Sequence, residues 1–282
     1  MIPAGGTVVL LRRLGFLYPL TLPLVVLVGY RAGGAWNFLV PAWVFGVLPL
    51  LDWRGGIDTQ TVLPRGTPGR VWPRFFDAIL YAWVPIQLAL VVWGAAAVGG
   101  LDGLAARVGF TISVGVLTGG IGIVVAHELG HRRGRAERAL ACTLLASVAY
   151  AHFYIEHNQG HHARVATPAD PATARAGESF WRFLPRTLAG GFASAWEIER
   201  ARLAARGHAL WGPANRMLWV VLAPLVAAVG LGLAWGAPAA GFFVLQAAVA
   251  VTLLEAVNYL EHYGLVRRRH SGGTSATTTI DA

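Results

Sequence analysis

The chain has no lysine, one cysteine and few charged side chains, and each shortage excludes something. The lone Cys142 rules out an intramolecular disulfide, a cysteine-ligated zinc and an iron–sulfur cluster built from this chain alone. Any metal chemistry must draw on the nine His. Charged residues make up 13% of the 282 residues and hydrophobic ones 55%, against about 25% and about 45–50% in soluble chains. The surplus apolar surface needs a solvent other than water, and a mean hydropathy of +0.54 points to the bilayer. The net charge of +9 comes wholly from Arg. Arg clusters neutralise phosphates, but a nucleic-acid groove needs charge without so much intervening hydrophobicity, so no nucleic-acid partner is expected. Cytoplasmic loops of membrane proteins carry excess Arg, which accounts for charge and hydropathy together.

Runs of about 20 apolar residues fall at 14–30, 36–51, 78–98, 108–127, 216–235 and 239–259. They are expected to be six transmembrane helices of an all-α integral membrane protein with a cytoplasmic His-rich site for two metal ions. The short links at 31–35 and 236–238 read as tight Gly-containing turns between helical hairpins. A seventh apolar stretch, 139–155, is flanked by His motifs. If it crossed, His127 and His131 would be parted from His157, His161 and His162 by the membrane. With six spans and a cytoplasmic N-terminus, all of the 23 Arg except Arg31 and Arg107 lie inside or, for Arg216, at the inner end of the fifth span, and this bias requires 139–155 to be buried without crossing. Residues 1–265 read as one membrane domain. Residues 266–282, rich in Thr, Ser and Gly at their end, read as a disordered tail.

Three His motifs stand at the inner face. His127-Glu128-Leu129-Gly130-His131 ends the fourth span, where an i, i+4 pair shares one helical face. It also fits a zinc metalloprotease with Glu128 as base, a reading that leaves the other motifs without a purpose. Glu156-His157-Asn158-Gln159-Gly160-His161-His162 offers three more imidazoles, and His262 ends the sixth span. His127, His131, His157, His161, His162 and His262 are the candidate metal ligands, and they exceed the three protein ligands of a catalytic zinc. They suit a pair of transition ions, although imidazole alone does not choose among Fe, Cu, Ni and Zn. Glu255, Asn258 and His262, at i, i+3 and i+7, share a helical face. Glu255 and Asn258 are therefore candidates for orienting bound imidazoles. His152 is another candidate, or else a core His, while Glu156 and Glu261 each precede a His whose face they cannot share, which leaves capping, pairing with Arg or support of a bound imidazole as their roles. His208 reads as a surface residue and Cys142 as a small apolar one. Trp43 and Phe45 are bulky enough to limit the depth of a cavity.

These motifs resemble those of the membrane alkane 1-monooxygenases, relatives of the integral-membrane fatty-acid desaturases and hydroxylases. The family pattern of H-E-L-x-H-K, then E-H-x-x-G-H-H, then N-Y-x-E-H-Y-G-L is matched at 127–132, 156–162 and 258–265, with Arg132 for the usual Lys. The likeness continues through 152–155, 166–171 and 177–180. It implies O2-dependent hydroxylation of an n-alkane to a 1-alkanol at a di-iron centre. Electrons would come from rubredoxin and its NAD(P)H-dependent reductase, in a bacterial-type cytoplasmic (inner) membrane. The Arg of 132–138 and 182–206 are then a candidate dock for acidic rubredoxin. The family's fourth motif, R-H-x-x-H-H, has no counterpart after Gly264. The resemblance thus implies a truncated chain with six of nine ligands, its activity reduced or lost, with a non-catalytic remnant as one alternative. A fatty-acyl or alkyl-aromatic desaturase or hydroxylase is the other.

Overall fold

The computed structural model describes residues 14–55, 71–270 and 277–281. Six helices are long and apolar enough to cross a membrane: α1 (Gly15–Ala32), α2 (Gly34–Gly55), α3 (Val71–Val98, crossing from Arg74), α4 (Leu104–Gly130), α8 (Arg216–Trp235) and α9 (Ala237–His262). They match the six apolar runs of the sequence. In a bilayer every backbone donor and acceptor must be satisfied within its own segment, so an apolar run of this length becomes a helix. The α1–α2 turn is made by Gly33 and Gly34, with φ of +74° and +50°, and the α8–α9 turn by Gly236 at +82°. Glycine adopts these left-handed conformations without the steric penalty other residues meet.

The central helix is α4. Gly115 and Gly119 let α9 approach so closely that a Cβ on Gly119 would lie 2.6 Å from the Ala250 Cα and 2.8 Å from its carbonyl oxygen. Small residues at this spacing are a common way for membrane helices to pack. A buried polar chain then ties α3, α4 and α9 together. Trp83 Nε1 donates to Gln87 Oε1 (2.8 Å), Gln87 Nε2 to Ser147 Oγ (2.8 Å), Gln246 Nε2 to the Ser147 carbonyl (2.9 Å), and Thr118 Oγ1 to Gln246 Oε1 (2.9 Å).

Ser147 belongs to the seventh apolar stretch, and its capture explains why that stretch does not cross. Helix α5 (Arg135–Ala146) buries Ala141, Leu144 and Leu145 and stops within the bundle. Ala149, at φ +53°, reverses the chain, and Tyr150 N–H donates back to the Leu145 carbonyl at 2.8 Å, the usual hydrogen bonding at a left-handed helix end. A short helix, α6 (153–164), follows and returns the second His motif to the end of α4.

One element was not legible in the sequence. The Arg-rich stretch beyond Ser179 forms α7 (Phe180–Ala205), a long amphipathic helix that buries Phe183, Thr187, Ala195, Glu199 and Leu203 along one i, i+4 stripe. The tail beyond 265 includes β1 (Val266–His270), paired antiparallel with β2 (Thr277–Asp281).

Candidate metal centre

His127 ends the α4 span and His131 caps it one turn later, with His127 Nε2 3.0 Å from His131 Nε2. The partner motif on α6 is wound as a π-helix from His157 to His161, in which residues at i and i+5 come into register. His157 and His162 therefore lie together, with ring centroids 4.4 Å apart, and both face the α4 pair. His127 Nε2 is 2.8 Å from His157 Nε2, and His131 Nε2 is 3.4 Å from His162 Nε2. Nitrogens of all four rings lie within 4.8 Å of one another.

The same π turn rotates His161 away from this quartet. Its Nδ1 donates to the Asp170 carboxylate at 3.0 Å, leaving Nε2 free as a ligand atom, and its ring lies 4.8 Å from that of His262. His262 is held in the same tautomer, its Nδ1 donating to the Asn258 carbonyl at 2.9 Å. The six imidazoles thus form a quartet and an adjoining pair, around the C-terminal ends of α4 and α9.

The donor set fits a transition metal. Metal–imidazole bonds of about 2.0–2.1 Å place neighbouring ligand nitrogens about 3 Å apart, close to the separations in the quartet. Burial first, and neighbouring imidazoles second, push His157 and His162 below the ordinary His range, so both are neutral with lone pairs available. Asp170 is only 1% exposed. Burial would raise its pKa, but the hydrogen bonds from His161 and Thr173 outweigh it and hold the carboxyl below its usual range. A carboxylate behind a ligating His is a recurrent way of fixing ring orientation. Asp170 was not among the sequence candidates, although it lies in the 166–171 segment singled out there, because nothing in the spacing showed it turning back onto His161.

The candidates for orienting imidazoles divide. Glu255 accepts from Tyr150 (2.7 Å), Thr187 (3.0 Å) and Asn258 (3.3 Å), so it reaches His262 through Asn258 and anchors α9 to α7. Glu156 pairs with Arg164 at 3.0 Å and accepts from Ser194 at 3.1 Å, tying α6 to α7 and making no hydrogen bond to a candidate ligand. Glu261 is exposed and forms no hydrogen bond or ion pair with a described residue. His152 packs against Tyr150 and Phe192, and its buried Nε2 has no partner among the described residues. It borders a cavity of about 20 Å³ beside His157, His161 and Glu255, room for about one water.

Comparison with known proteins agrees with this architecture. Residues 102–282 match the fatty acid desaturase family. The chain is 32% identical over 272 residues to alkane 1-monooxygenase 2 of Alcanivorax borkumensis, covering 93% of this chain and 71% of that protein. It belongs to the fatty acid desaturase family, among the alkane 1-monooxygenases. Alkane 1-monooxygenase 1 of Pseudomonas aeruginosa is 40% identical over 241 residues, covering 84% of this chain and 63% of that protein. The hydroxylase component of the xylene/toluene monooxygenase of Pseudomonas putida is 30% identical over 249 residues, 86% of this chain and 64% of that protein. The chain thus spans about two thirds of the length of these relatives.

Proposed function

We propose that this chain forms the membrane-embedded catalytic part of an enzyme that hydroxylates n-alkanes to 1-alkanols with O2 at two iron ions. His127, His131, His157 and His162 would hold one ion, and His161 and His262 would contribute to the second. When bound, iron supplies the O2 activation needed to convert R–CH3 to R–CH2OH, one oxygen atom entering the alcohol and the other leaving as water with two electrons and two protons.

The observation that carries the reading is an apolar groove of about 290 Å³ within the spans. It starts at Val124, three residues before His127, and at Val257, beside Asn258. It runs along Leu117, Gly119, Gly120 and Leu253 to Leu22 and Phe45. Its walls are apolar, so a hydrocarbon enters without crossing water and is held with its end toward the imidazoles. Of the two bulky residues noted in α2, Phe45 lines this groove, while Trp43 donates to the Tyr18 hydroxyl and packs elsewhere. The protein's part is to orient the chain, exclude water, and hold the Nδ1 protons of His161 and His262 on Asp170 and the Asn258 carbonyl.

The Arg-rich inner side supports a cytoplasmic orientation in an inner membrane and docking of acidic rubredoxin, reduced by an NAD(P)H-dependent reductase. Not every Arg is available. Arg132, Arg186, Arg200 and Arg202 pair with Asp77, Glu178, Glu197 and Glu199. The dock therefore falls to Arg133, Arg135, Arg138, Arg182 and Arg206, which are exposed. We take residues 1–265 as one catalytic unit. The xylene/toluene relative favours alkyl-aromatic hydroxylation as a second reading.

Product analysis by mass spectrometry, with octane, hexadecane, xylene and acyl lipids offered with O2 and reduced rubredoxin to iron-loaded protein in membranes, tests both. 1-Octanol supports the first reading. A benzylic alcohol without octanol supports the second, and an alkene without alcohol overturns both.

A further inference from the structure

The fifth span is the least buried of the six. Only 6% of its membrane window is buried, and between it and α3, α5, α6 and α9 run two cavities of about 330 and 390 Å³ that share Thr143 and Ala146 as walls. No candidate ligand lines either of them, and neither shares a wall with the groove beside α2. On the α8 side the walls are Arg216, Trp219, Val220, Ala223, Ala227, Gly230 and Leu231, a single face at three- and four-residue spacing. At 1.5 Å per residue that face extends about 22 Å, from the inner interface well into the hydrocarbon. The facing hydroxyls are spent locally: Thr143 Oγ1 donates to the Ala139 carbonyl at 2.9 Å and Ser147 Oγ to the Leu144 carbonyl at 2.7 Å. Neither leaves a donor for water, so the crevice below its mouth is suited to hydrocarbon.

The mouth is different. Asn215 caps α8 by accepting from Met217 N–H at 2.8 Å, which sets Arg216 at the first turn. Glu199 is 1% exposed. It accepts from Arg202 Nε and Nη2 at 2.8 and 2.6 Å, and from Arg216 N and Nε at 2.7 and 2.8 Å. One carboxylate thus faces two guanidinium groups and the mouth keeps one positive charge. Arg216 Nη2 lies 2.6 Å from Glu199 Oε2 without an aligned hydrogen bond, while the Arg216 side chain as a whole is 37% exposed. Beside it Trp219, 57% exposed, donates Nε1 to the Pro213 carbonyl, as an interfacial tryptophan does.

We propose that this crevice binds one anionic phospholipid, its phosphate on Arg216 and one acyl chain lying between α8 and the α3–α5 wall. A basic site between membrane helices selects anionic headgroups from the leaflet it faces. An acyl chain restores the contacts that empty walls forgo. Through Glu199 and Arg202 the headgroup would also brace α7, the helix that carries Thr187 to Glu255.

Native mass spectrometry of the purified full chain tests the site, with dioleoyl phosphatidylglycerol, dioleoyl phosphatidylcholine and oleate as probes. The expected result is one retained phosphatidylglycerol, with phosphatidylcholine bound about tenfold more weakly. Ala227→Phe, which fills the crevice, and Arg216→Gln, which keeps Arg202 on Glu199, should each weaken phosphatidylglycerol about tenfold. Gly230→Leu supplies the crevice-filling change if Ala227→Phe fails to fold, since a Cβ there meets nothing within 4 Å. Undiminished phosphatidylglycerol retention by a folded crevice-filled variant overturns the proposal. So does equal retention of the two phospholipids, or stoichiometric displacement of phosphatidylglycerol by oleate.

Discussion

Asp170→Asn is the most direct test of how the centre is held. The native carboxylate accepts from His161 Nδ1 at 3.0 Å, Thr173 Oγ1 at 2.5 Å and Ala172 N–H at 3.2 Å, while only 1% exposed. The amide keeps the shape but loses the charge, so the bond from His161 falls from a charge-assisted one, about 1.5–3 kcal/mol, to a neutral one of about 1 kcal/mol. If the amide turns its NH2 toward the ring, two donors face each other and His161 rotates or changes tautomer. Changes behind a metal ligand typically cost about 10–100-fold in metal affinity. The assay is a titration of metal-depleted protein in detergent with Fe(II) or Co(II) against a competing chelator, with thermal unfolding alongside. Weaker binding of one equivalent, with the other unchanged, is expected, because the quartet does not include His161. Asp77→Asn, which removes the partner of Arg132, serves as a charge-matched control and should leave both equivalents unchanged. A folded Asp170→Asn protein that binds both equivalents like the parent would refute the assignment of Asp170 as a positioning residue.

Burial lowers His152 to about 4, so the unfolded chain binds a proton below about 6.5 that the folded chain refuses. Stability should fall as pH drops through that value, by about 2 kcal/mol at pH 5 from this residue. Denaturation of metal-free protein at pH 7 and 5 checks it: His152→Phe should shrink the difference by about 2 kcal/mol, leaving the share of the other buried His, and an equal slope in the variant would contradict the cause. Gly119→Ala should lower the unfolding temperature markedly, because its Cβ meets Ala250 backbone, whereas Gly120→Ala, which meets nothing within 4 Å, should be neutral or gain about 0.5–1 kcal/mol. Equal behaviour of the two would remove the close α4–α9 approach as the reason for glycine. Phe45→Ala should extend the groove at its far end and shift product yield toward longer alkanes, measured with a mixed-chain alkane set. An unchanged chain-length profile would separate Phe45 from substrate length.

The His motifs were readable because ligation needs a particular residue type at helical spacing, and the non-crossing of 139–155 was readable because charge bias and shared chemistry both required it. The same spacing was silent on which imidazoles meet. A regular helix would pair His157 with His161, whereas the π winding pairs His157 with His162 and sends His161 to Asp170 and His262. Glu156 and Glu261 sit beside His in sequence, yet one is engaged by Arg164 and the other faces outward. Sequence neighbours on a helix point in different directions.

What the sequence by itself determined was the solvent and the raw material: six apolar runs, Arg on one side, and six candidate imidazoles. Those are local properties, carried by composition and by period along one helix. Only the tertiary structure decided how α4, α6 and α9 converge, that Asp170 stands behind His161, that Arg-rich residues 180–205 form a helix bracing Glu255, and that an apolar groove reaches the turn before His127. Each of these depends on contacts between residues far apart in the chain, set by close helix approach at Gly119, by buried hydrogen bonds from Gln87 and Gln246, and by those that Glu255 accepts.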